Sequence, residues 1–222
     1  MEGGDMARIL TLLSSGVTAA HKQGLFPCAD PLSASSKTRA HSIALDLHRF
    51  DCAWSAPDPA SLQTAAAVGL EVTPDPALAE LDYGTWAGRS IQEIMEAKPD
   101  QFSGWMRGEF TPGDESLEDL FGRVGQWLSN HLAGHLSGKS RMVAVASPNV
   151  VRACVLVALD MTPAQVSKLD IPSLTLSTLT SNGREWRVRS VGSPPAFSKP
   201  ITDENADWGL GVDHFPENLT TL

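Results

Sequence analysis

Short apolar runs and one alternating stretch mark the strands that the chain predicts. The runs typical of buried strands are Arg8–Leu13, Asp51–Ser55, Glu71–Thr73 and Arg141–Ala146. A strictly alternating stretch, Ser173–Thr180, precedes an Asn182-Gly183 turn and the segment Trp186–Arg189. Together these three features predict an antiparallel hairpin late in the chain.

Stretches with apolar residues at helical spacing separate these strands. The predicted helices cover residues 36–50, 59–68, 90–97, 116–136, 150–159 and 163–169. Strands that alternate with helices predict an α/β fold, a three-layer α/β/α sandwich with a mainly parallel central sheet and an antiparallel pair near one end. In such folds sites lie at the carboxyl ends of the strands, where polar turns follow the apolar runs of this chain.

One domain is predicted over residues 6–192. Beyond it, Ser193-Pro194-Pro195 opens a stretch without clear periodicity, so residues 193–222 are predicted to form an extended or partly disordered C-terminal tail. Acidic residues in this tail lie beside Trp208 and Phe215. A protein-interaction role for the tail is therefore one alternative for function.

The net charge of the chain limits the partners it is expected to bind, and its cysteines indicate the compartment in which it is expected to occur. The 222 residues carry a net charge of −9, which argues against binding nucleic acid or an anionic membrane surface. No apolar run approaches the ~20 residues of a membrane span. Cys28, Cys52 and Cys154 are scattered and odd in number, which fits a reducing cytoplasm and predicts neither a metal site nor a disulfide framework. No cofactor is expected.

Six blocks in a fixed order are the strongest functional signal in the chain. They are Leu12-Leu13-Ser14-Ser15-Gly16-Val17-Thr18, Asp30-Pro31-Leu32-Ser33, Ser55-Ala56-Pro57 with Gln63-Thr64-Ala65, Ala79-Glu80-Leu81-Asp82-Tyr83-Gly84-Thr85-Trp86-Ala87-Gly88, Pro112-Gly113-Asp114-Glu115-Ser116 with Arg123-Val124, and Val143-Ala144-Val145-Ala146-Ser147-Pro148-Asn149 with Arg152-Ala153. Together they resemble the histidine phosphatase superfamily, also called phosphoglycerate-mutase-like, over about residues 7–190. The block that contains Glu80 is the most specific of the six.

The resemblance implies a phosphoryl transfer through a phosphohistidine. In that superfamily an Arg-His-Gly at the end of the first strand supplies the nucleophile and a phosphate clamp. A second Arg, a second His and a Glu proton donor complete the set. Transfer of phosphoryl charge needs fixed cations, and the carboxyl group donates a proton to the leaving oxygen.

The chain departs from this pattern at most of the implied pocket positions. Those positions hold Ser14 (for Arg), Ser15 (for the nucleophilic His), Gly16 (for Gly), Ala60 (for the second Arg), Pro148 (for the second His), Asn149 (for the Gly after it) and Glu80 (for the Glu). Without arginines, a lone carboxylate would repel a phosphate. The sequence therefore predicts a degenerate member of the superfamily.

Each candidate residue can be interpreted either as a structural or surface residue or as part of a functional pocket. Ser14 and Ser15 are either turn residues at a strand end or hydrogen-bond donors to a neutral ligand. Glu80 is either a surface or capping carboxylate or a pocket acid–base group with a raised pKa. His21 is either a loop histidine at the surface or a substitute base at the mouth of the pocket.

Two functions follow for the pocket itself. The first is a pseudophosphatase that binds a small ligand or a partner protein without phosphoryl transfer. The second is a repurposed enzyme in which Glu80, with His21 or Ser15, performs acid–base chemistry on an uncharged small molecule. The resemblance also makes a homodimer plausible.

Overall fold

A computed structural model describes residues 8–45, 49–133 and 140–197. The described strands form one six-stranded sheet in the order β3-β2-β4-β1-β5-β6. Their bounds are Arg8–Ser14 (β1), Cys52–Ser55 (β2), Thr73–Pro74 (β3), Ser140–Ala146 (β4), Leu176–Ser181 (β5) and Trp186–Ser193 (β6). The pairs β1–β4, β4–β2 and β2–β3 are parallel, while β5 runs antiparallel to both β1 and β6. The predicted mainly parallel sheet with an antiparallel pair near one end is confirmed.

Seven α-helices connect the described strands. Their bounds are Ala19–Lys22 (α1), Ala34–Ser42 (α2), Pro59–Ala67 (α3), Ile91–Ala97 (α4), Pro99–Met106 (α5), Leu117–Ala133 (α6) and Pro148–Ala158 (α7). Short 3-10 turns cover Pro76–Leu78, Gly84–Trp86 and Pro163–Lys168. Polar side chains cap several of these helices by accepting a hydrogen bond from a first-turn amide, among them Ser33, Asp58, Ser90 and Ser147.

The central strands bury alternate residues on opposite faces of the sheet, as a period of two requires. On one face, Met142 and Ala144 of β4 pack with Val124 of α6 and Val151 of α7. On the other face, a second cluster joins neighbouring positions of β4 to the helices that follow β1 and β2, through Leu13, Ala40, Ala65, Val143 and Val145. Helices on both faces of the sheet make the predicted α/β/α sandwich.

The predicted helix over residues 36–50 is wrong in its extent. Its described counterpart α2 begins earlier, after the Ser33 cap, and ends at Ser42. Ile43 then forms an antiparallel bridge with Phe197, and the backbone amide of Ala44 donates to the carbonyl of Ala196 at 2.8 Å. Backbone groups that pair with another segment cannot also form hydrogen bonds within the helix, so α2 ends at Ser42.

The start of the predicted tail contacts the domain where it is described. β6 continues through Ser193, and Phe197 packs against the cluster that contains Ile43 and Leu70. The rest of the predicted tail, including Trp208 and Phe215, lies outside the described residues. The division of the chain into residues 6–192 and 193–222 stays a prediction.

Candidate functional site

Three neighbouring parallel strands end at the same edge of the sheet and define the candidate site. Ser14 at the end of β1 lies opposite Ala146 of β4, and Ser55 at the end of β2 lies opposite Val145. The residues that follow these strands therefore meet at this edge. The backbone amide of Ser15 donates to the carbonyl of Ala146 at 2.7 Å, so the turn after β1 lies directly beside the start of α7.

Ser14 is fully buried and tied to the loop before β5. Its hydroxyl donates to the carbonyl of Pro172 at 2.7 Å and accepts from the amide of Thr175 at 2.9 Å. The backbone of Ser14 also bonds with Thr175 and Leu174. These contacts support the interpretation of Ser14 as a residue that anchors a strand end.

Ser15 differs from its neighbour although both are buried. Its relative exposure is 4%, and among the described residues no hydrogen bond engages its hydroxyl. The two serines therefore differ: the fold engages the Ser14 hydroxyl, whereas the Ser15 hydroxyl has no hydrogen bond among the described residues.

Gly16 and Ala60 lie where the turn after β1 contacts α3. The amide of Gly16 donates to the Thr64 hydroxyl at 3.0 Å, and that hydroxyl donates to the Ala60 carbonyl at 2.7 Å. A Cβ on Gly16 would lie 2.9 Å from Leu32 Cδ2 and 3.0 Å from Ser36 Cβ. The close approach of these atoms requires glycine at this position. Ala60 itself is 6% exposed and contributes a methyl group to the first turn of α3.

Glu80 presents a desolvated carboxylate at this edge. Its Oε1 accepts from the amide of Leu81 at 2.8 Å, and the Asn149 amide nitrogen lies 3.4 Å from Oε1 and 3.5 Å from Oε2. Desolvation by burial raises the pKa of Glu80, hydrogen bonds from Ser147, Leu81 and Asn149 oppose the shift, and the charge of Asp58 adds to it. Glu80 is therefore suited to hold a proton at a higher pH than an ordinary glutamate.

Tyr83 and Arg152 extend the hydrogen-bond network around Glu80. Asn149 Nδ2 lies 3.0 Å from the Tyr83 hydroxyl, and Arg152 Nη1 donates to Asn149 Oδ1 at 3.0 Å. Burial raises the pKa of Tyr83 well above its ordinary value, and burial lowers the pKa of Arg152. Arg152 also approaches Asp170 at 3.9 Å. The guanidinium of Arg152 thus contacts both the Asn149 side chain and the Asp170 carboxylate.

Arg123 of α6 fixes the segment that leads to Glu80. Its guanidinium donates to the carbonyls of Ala77 and Ala79 at 2.8 Å and 2.7 Å and pairs with Glu115 at 2.5 Å. Five donors in a rigid fork suit Arg for holding several acceptors at once. The position of Glu80 therefore depends on a residue of α6, 43 positions later in the chain.

Comparison with known proteins identifies the family. The model of the histidine phosphatase superfamily (branch 1) matches residues 16–194, which is most of the chain. The chain belongs to this superfamily. The match begins at Gly16, immediately after the two serines.

Relatives that the chain resembles in sequence include a named phosphatase and a named mutase. The chain is 31% identical over 150 residues to phosphoserine phosphatase 1 of Hydrogenobacter thermophilus, covering 63% of this chain and 69% of that protein. It is 30% identical to a 2,3-bisphosphoglycerate-dependent phosphoglycerate mutase of Methylobacterium radiotolerans, covering 92% of this chain and 100% of that protein. Among solved structures, an α-ribazole phosphatase from Shigella flexneri superposes with a TM-score of 0.74 at 19% identity, over 86% of this chain and 100% of that one. The last likeness supports the phosphoglycerate-mutase-like fold alone.

Neither Pro148 nor His21 makes a hydrogen bond to Glu80 among the described residues. Pro148 is the first residue of α7, and its ring supplies no donor to Glu80, whereas the preceding Ser147 hydroxyl hydrogen-bonds to Glu80. His21 lies on α1 with an exposed side chain. Among the described residues no hydrogen bond joins His21 to Glu80, Ser15 or Asn149.

Four site residues were missed by the sequence reasoning: Asp58, Tyr83, Ser147 and Arg152. Asp58 and Ser147 each precede a proline at a helix start, the pattern of an N-cap followed by proline. That pattern could have placed both side chains at the carboxyl edge of the sheet. The roles of Tyr83 and Arg152 depend on contacts between distant segments, for which the sequence carries no local signal.

No described helix is long and apolar enough to cross a membrane. Within residues 8–45, 49–133 and 140–197, no group of three or more His, Cys, Asp or Glu side chains could hold a metal ion.

Proposed function

We propose that the chain is a histidine phosphatase superfamily protein that binds a small ligand or partner without phosphoryl transfer through a phosphohistidine. The observation that carries this proposal is the bonding of Ser14. The position that the resemblance assigns to a phosphate-binding arginine holds a hydroxyl that Pro172 and Thr175 already engage. Ser15 places a second hydroxyl where the resemblance puts the nucleophilic imidazole.

The chemistry of serine supports the same proposal. A serine hydroxyl becomes a nucleophile only beside a base that can take its proton. Among the described residues no hydrogen bond joins the Ser15 hydroxyl to a histidine or a carboxylate. The position to which the resemblance assigns a second phosphate-binding arginine holds Ala60, whose methyl group carries no charge.

Turnover of phosphate esters tests the proposal. Wild-type protein and the Glu80→Gln variant are assayed with p-nitrophenyl phosphate, phosphoserine and 3-phosphoglycerate, with an active superfamily phosphatase as the positive control. We expect no turnover by wild type above that of the variant. Robust hydrolysis by wild type that Glu80→Gln abolishes would contradict the proposal, as would an acid-labile phosphoprotein formed from any of these substrates.

A repurposed enzyme is the second candidate function, and the environment of Glu80 favours it. A carboxyl group with a raised pKa, held by three neutral donors, is suited to donate and accept protons at a higher pH than an ordinary glutamate. This candidate predicts an activity on an uncharged small molecule that Glu80→Gln removes while the fold is retained. A broad thermal-shift screen of neutral metabolites that yields no stabilising compound would count against it.

Three further proposals concern the location of the protein, its oligomeric state and the role of its tail. We expect a cytoplasmic homodimer with an interaction-competent tail after residue 192. Light scattering of the full chain and of a form truncated after Gly192 measures the oligomeric state. A monomeric full chain would contradict the dimer, and an oligomeric state that truncation leaves unchanged would count against a role for the tail.

A further inference from the structure

We propose that one face of the sheet, on the amino-terminal half of β1 and its neighbours, is the docking surface for the C-terminal segment of this same chain, residues 198–222. The surface lies away from the strand ends that form the candidate site, so the proposal does not depend on what that site binds. Its basis is a half-buried sheet face with arginines at its ends, together with the path and the charge of the chain that follows Phe197.

Alternate residues of β1 face opposite sides of the sheet and differ in burial. Leu12 is completely buried in the cluster that includes residues of α6 and α7. On the other side Leu13 is completely buried among residues of α2 and α3, whereas Ile9 and Thr11, which share that side, are only half-buried. Neither of the two apolar clusters of the described residues includes Ile9. The helices α2 and α3 thus cover the carboxyl half of this face and leave its amino half without a comparable cover.

The register of the strands places Ile9 in a row of four residues on this face. Ile9 lies opposite both Arg141 of β4 and Thr180 of β5, and Thr180 lies opposite Arg187 of β6. Residues that are paired across strands share a face, so the row has an exposed arginine at each end. Asp51 accepts from the backbone amide of Arg141 at 2.8 Å, but no described hydrogen bond or ion pair engages the Arg141 guanidinium. The row therefore offers an apolar and hydroxyl centre between two cations.

Positive charge also prevails on the hairpin that joins β5 to β6. Residues 181–189 include three arginines and one acidic residue, Glu185. Glu185 pairs with Arg187 at 2.8 Å, and the two side chains are 63% and 68% exposed. Such an exposed pair contributes little to stability. Arg187 can therefore exchange Glu185 for another carboxylate at small cost.

The chain that leaves β6 runs onto the same side of the sheet. Phe197 forms an antiparallel bridge with Ile43 and packs against the cluster that contains Leu13 and Val143. Val143 lies on β4 two positions after Arg141, so both belong to one face. The described part of the C-terminus thus ends on the side of the sheet that carries the row.

The segment that follows matches this surface in charge and in pattern. Residues 198–222 contain one lysine and five acidic residues, Asp203, Glu204, Asp207, Asp213 and Glu217. Within them Trp208, Leu210 and Val212 alternate with glycines, so an extended backbone would turn these three apolar side chains to one side. Apolar side chains can then cover the centre of the row while the carboxylates meet the arginines, an arrangement that fixes the register of docking.

The segment is also long enough to cross the surface. Trp208 follows Phe197 by 11 residues, which span up to about 36 Å when extended. Four neighbouring strands, from β4 to β6, lie within about 15 Å. Both ends of the row are therefore within reach of one chain, without a second copy.

Zero-length carbodiimide coupling in the full chain tests the contact. Arg141→Lys and Arg187→Lys each keep the positive charge and supply an amine, which the reagent joins to a carboxylate that touches it. We expect mass spectrometry to find positions 141 and 187 joined to acidic residues of 198–222. Arg107→Lys is the matched control, because the exposed partner of Arg107 is Glu109 on its own loop, and it should give no such product. A mixture of unlabelled and ¹⁵N-labelled protein shows whether each product joins one chain or two.

The fluorescence of Trp208 gives an independent readout. The difference between wild type and Trp208→Phe isolates its emission. We expect this emission to be blue-shifted and poorly quenched by acrylamide in wild type at low salt. Quenching should rise at least about threefold in the Arg141→Gln/Arg187→Gln double variant and should rise in high salt, which screens exposed charges. Arg107→Gln should leave it unchanged, and circular dichroism checks the fold of each variant.

Four outcomes would overturn the inference. Products that join two chains would place a second copy on the face. Coupling to 198–222 that is as frequent in Arg107→Lys would show contact without a defined site. Trp208 emission typical of exposed tryptophan in wild type would show that the segment does not dock, and quenching that the double variant leaves unchanged would place it elsewhere. Turnover of phosphate esters bears only on the proposed function, so the two can fail separately.

Discussion

The side-chain amide nitrogen of Asn149 lies 3.4 Å and 3.5 Å from the two carboxylate oxygens of Glu80. This contact joins the first turn of α7 to the segment before the Gly84–Trp86 turn, so it fixes where the carboxylate points. The superfamily resemblance implies a glycine at position 149, which has no side chain to donate. A neutral amide therefore stabilises the charge of Glu80 without supplying a cation.

Glu80→Gln should stabilise the protein, and more so at high pH. Burial raises the pKa of Glu80 in the folded state above its ordinary value of 4.5. Wild type is then fully stable only while the carboxyl group is protonated, and it loses stability as pH rises through the raised pKa. Glutamine does not ionise, so the variant should melt at least about 2 °C higher at pH 8 and nearly as wild type at pH 4. Thermal unfolding across this range measures the difference, and a variant that melts lower at pH 8 would contradict the desolvation of Glu80.

Ser14→Ala should destabilise the fold far more than Ser15→Ala. The Ser14 hydroxyl both donates to Pro172 and accepts from Thr175, and its removal leaves buried partners unsatisfied at a cost of about 1–3 kcal/mol. The Ser15 hydroxyl has no described partner, so its loss should change stability by less than about 0.5 kcal/mol. Urea unfolding of the two variants measures this contrast. Equal losses would show that Ser15 also bonds within the fold.

Gly16→Ala and Gly122→Ala should shift stability in opposite directions. A Cβ on Gly16 would lie 2.9 Å and 3.0 Å from atoms of Leu32 and Ser36, an overlap expected to cost about 1–3 kcal/mol. A Cβ on Gly122, inside α6, meets nothing within 4 Å, and alanine favours a helix interior over glycine by about 1 kcal/mol. Melting temperatures of both variants check the prediction, which fails if Gly16→Ala is neutral.

Arg123→Met should loosen the segment that carries Glu80. The change removes the donors to Ala77 and Ala79 and leaves the half-buried Glu115 without its ion pair, for an expected loss of about 3 kcal/mol or more. Arg107→Met is the matched control, because the exposed pair of Arg107 with Glu109 is of the kind that contributes little. Hydrogen exchange of the amides of residues 77–81 should rise in the first variant and stay unchanged in the second. Unchanged exchange in both would contradict the anchoring role of Arg123.

The order of strands and helices could be predicted from the sequence because it depends on local patterns of apolar and polar residues. β4 can be predicted from the apolar run 142–146, and its alternate residues do pack on opposite faces. Gly16 and Glu80 were named from blocks of fixed spacing. The end of α2 was missed because it depends on Phe197, a residue far along the chain that pairs with Ile43.

The charge balance of the site was harder to predict than its position. Spacing alone drew attention to Pro148, while the neighbouring Ser147 hydroxyl bonds to Glu80. The influence of Asp58 on Glu80 and the bond from Asn149 to Tyr83 join residues from segments that are apart in the sequence. Such contacts are set by how three strands align at one edge, which no single stretch of sequence encodes.

The central place of β1 has a consequence for how the chain folds. β1 is the first described strand along the chain, yet its partners are β4 and β5, with Arg8 opposite both Ser140 and Ser181. Pairing of strands so far apart in sequence closes large loops and slows folding. During synthesis β1 therefore cannot complete its pairs until β4 and β5 have both been made, so the edge that carries Ser14 and Ser15 cannot be finished before Ser181 has joined the chain.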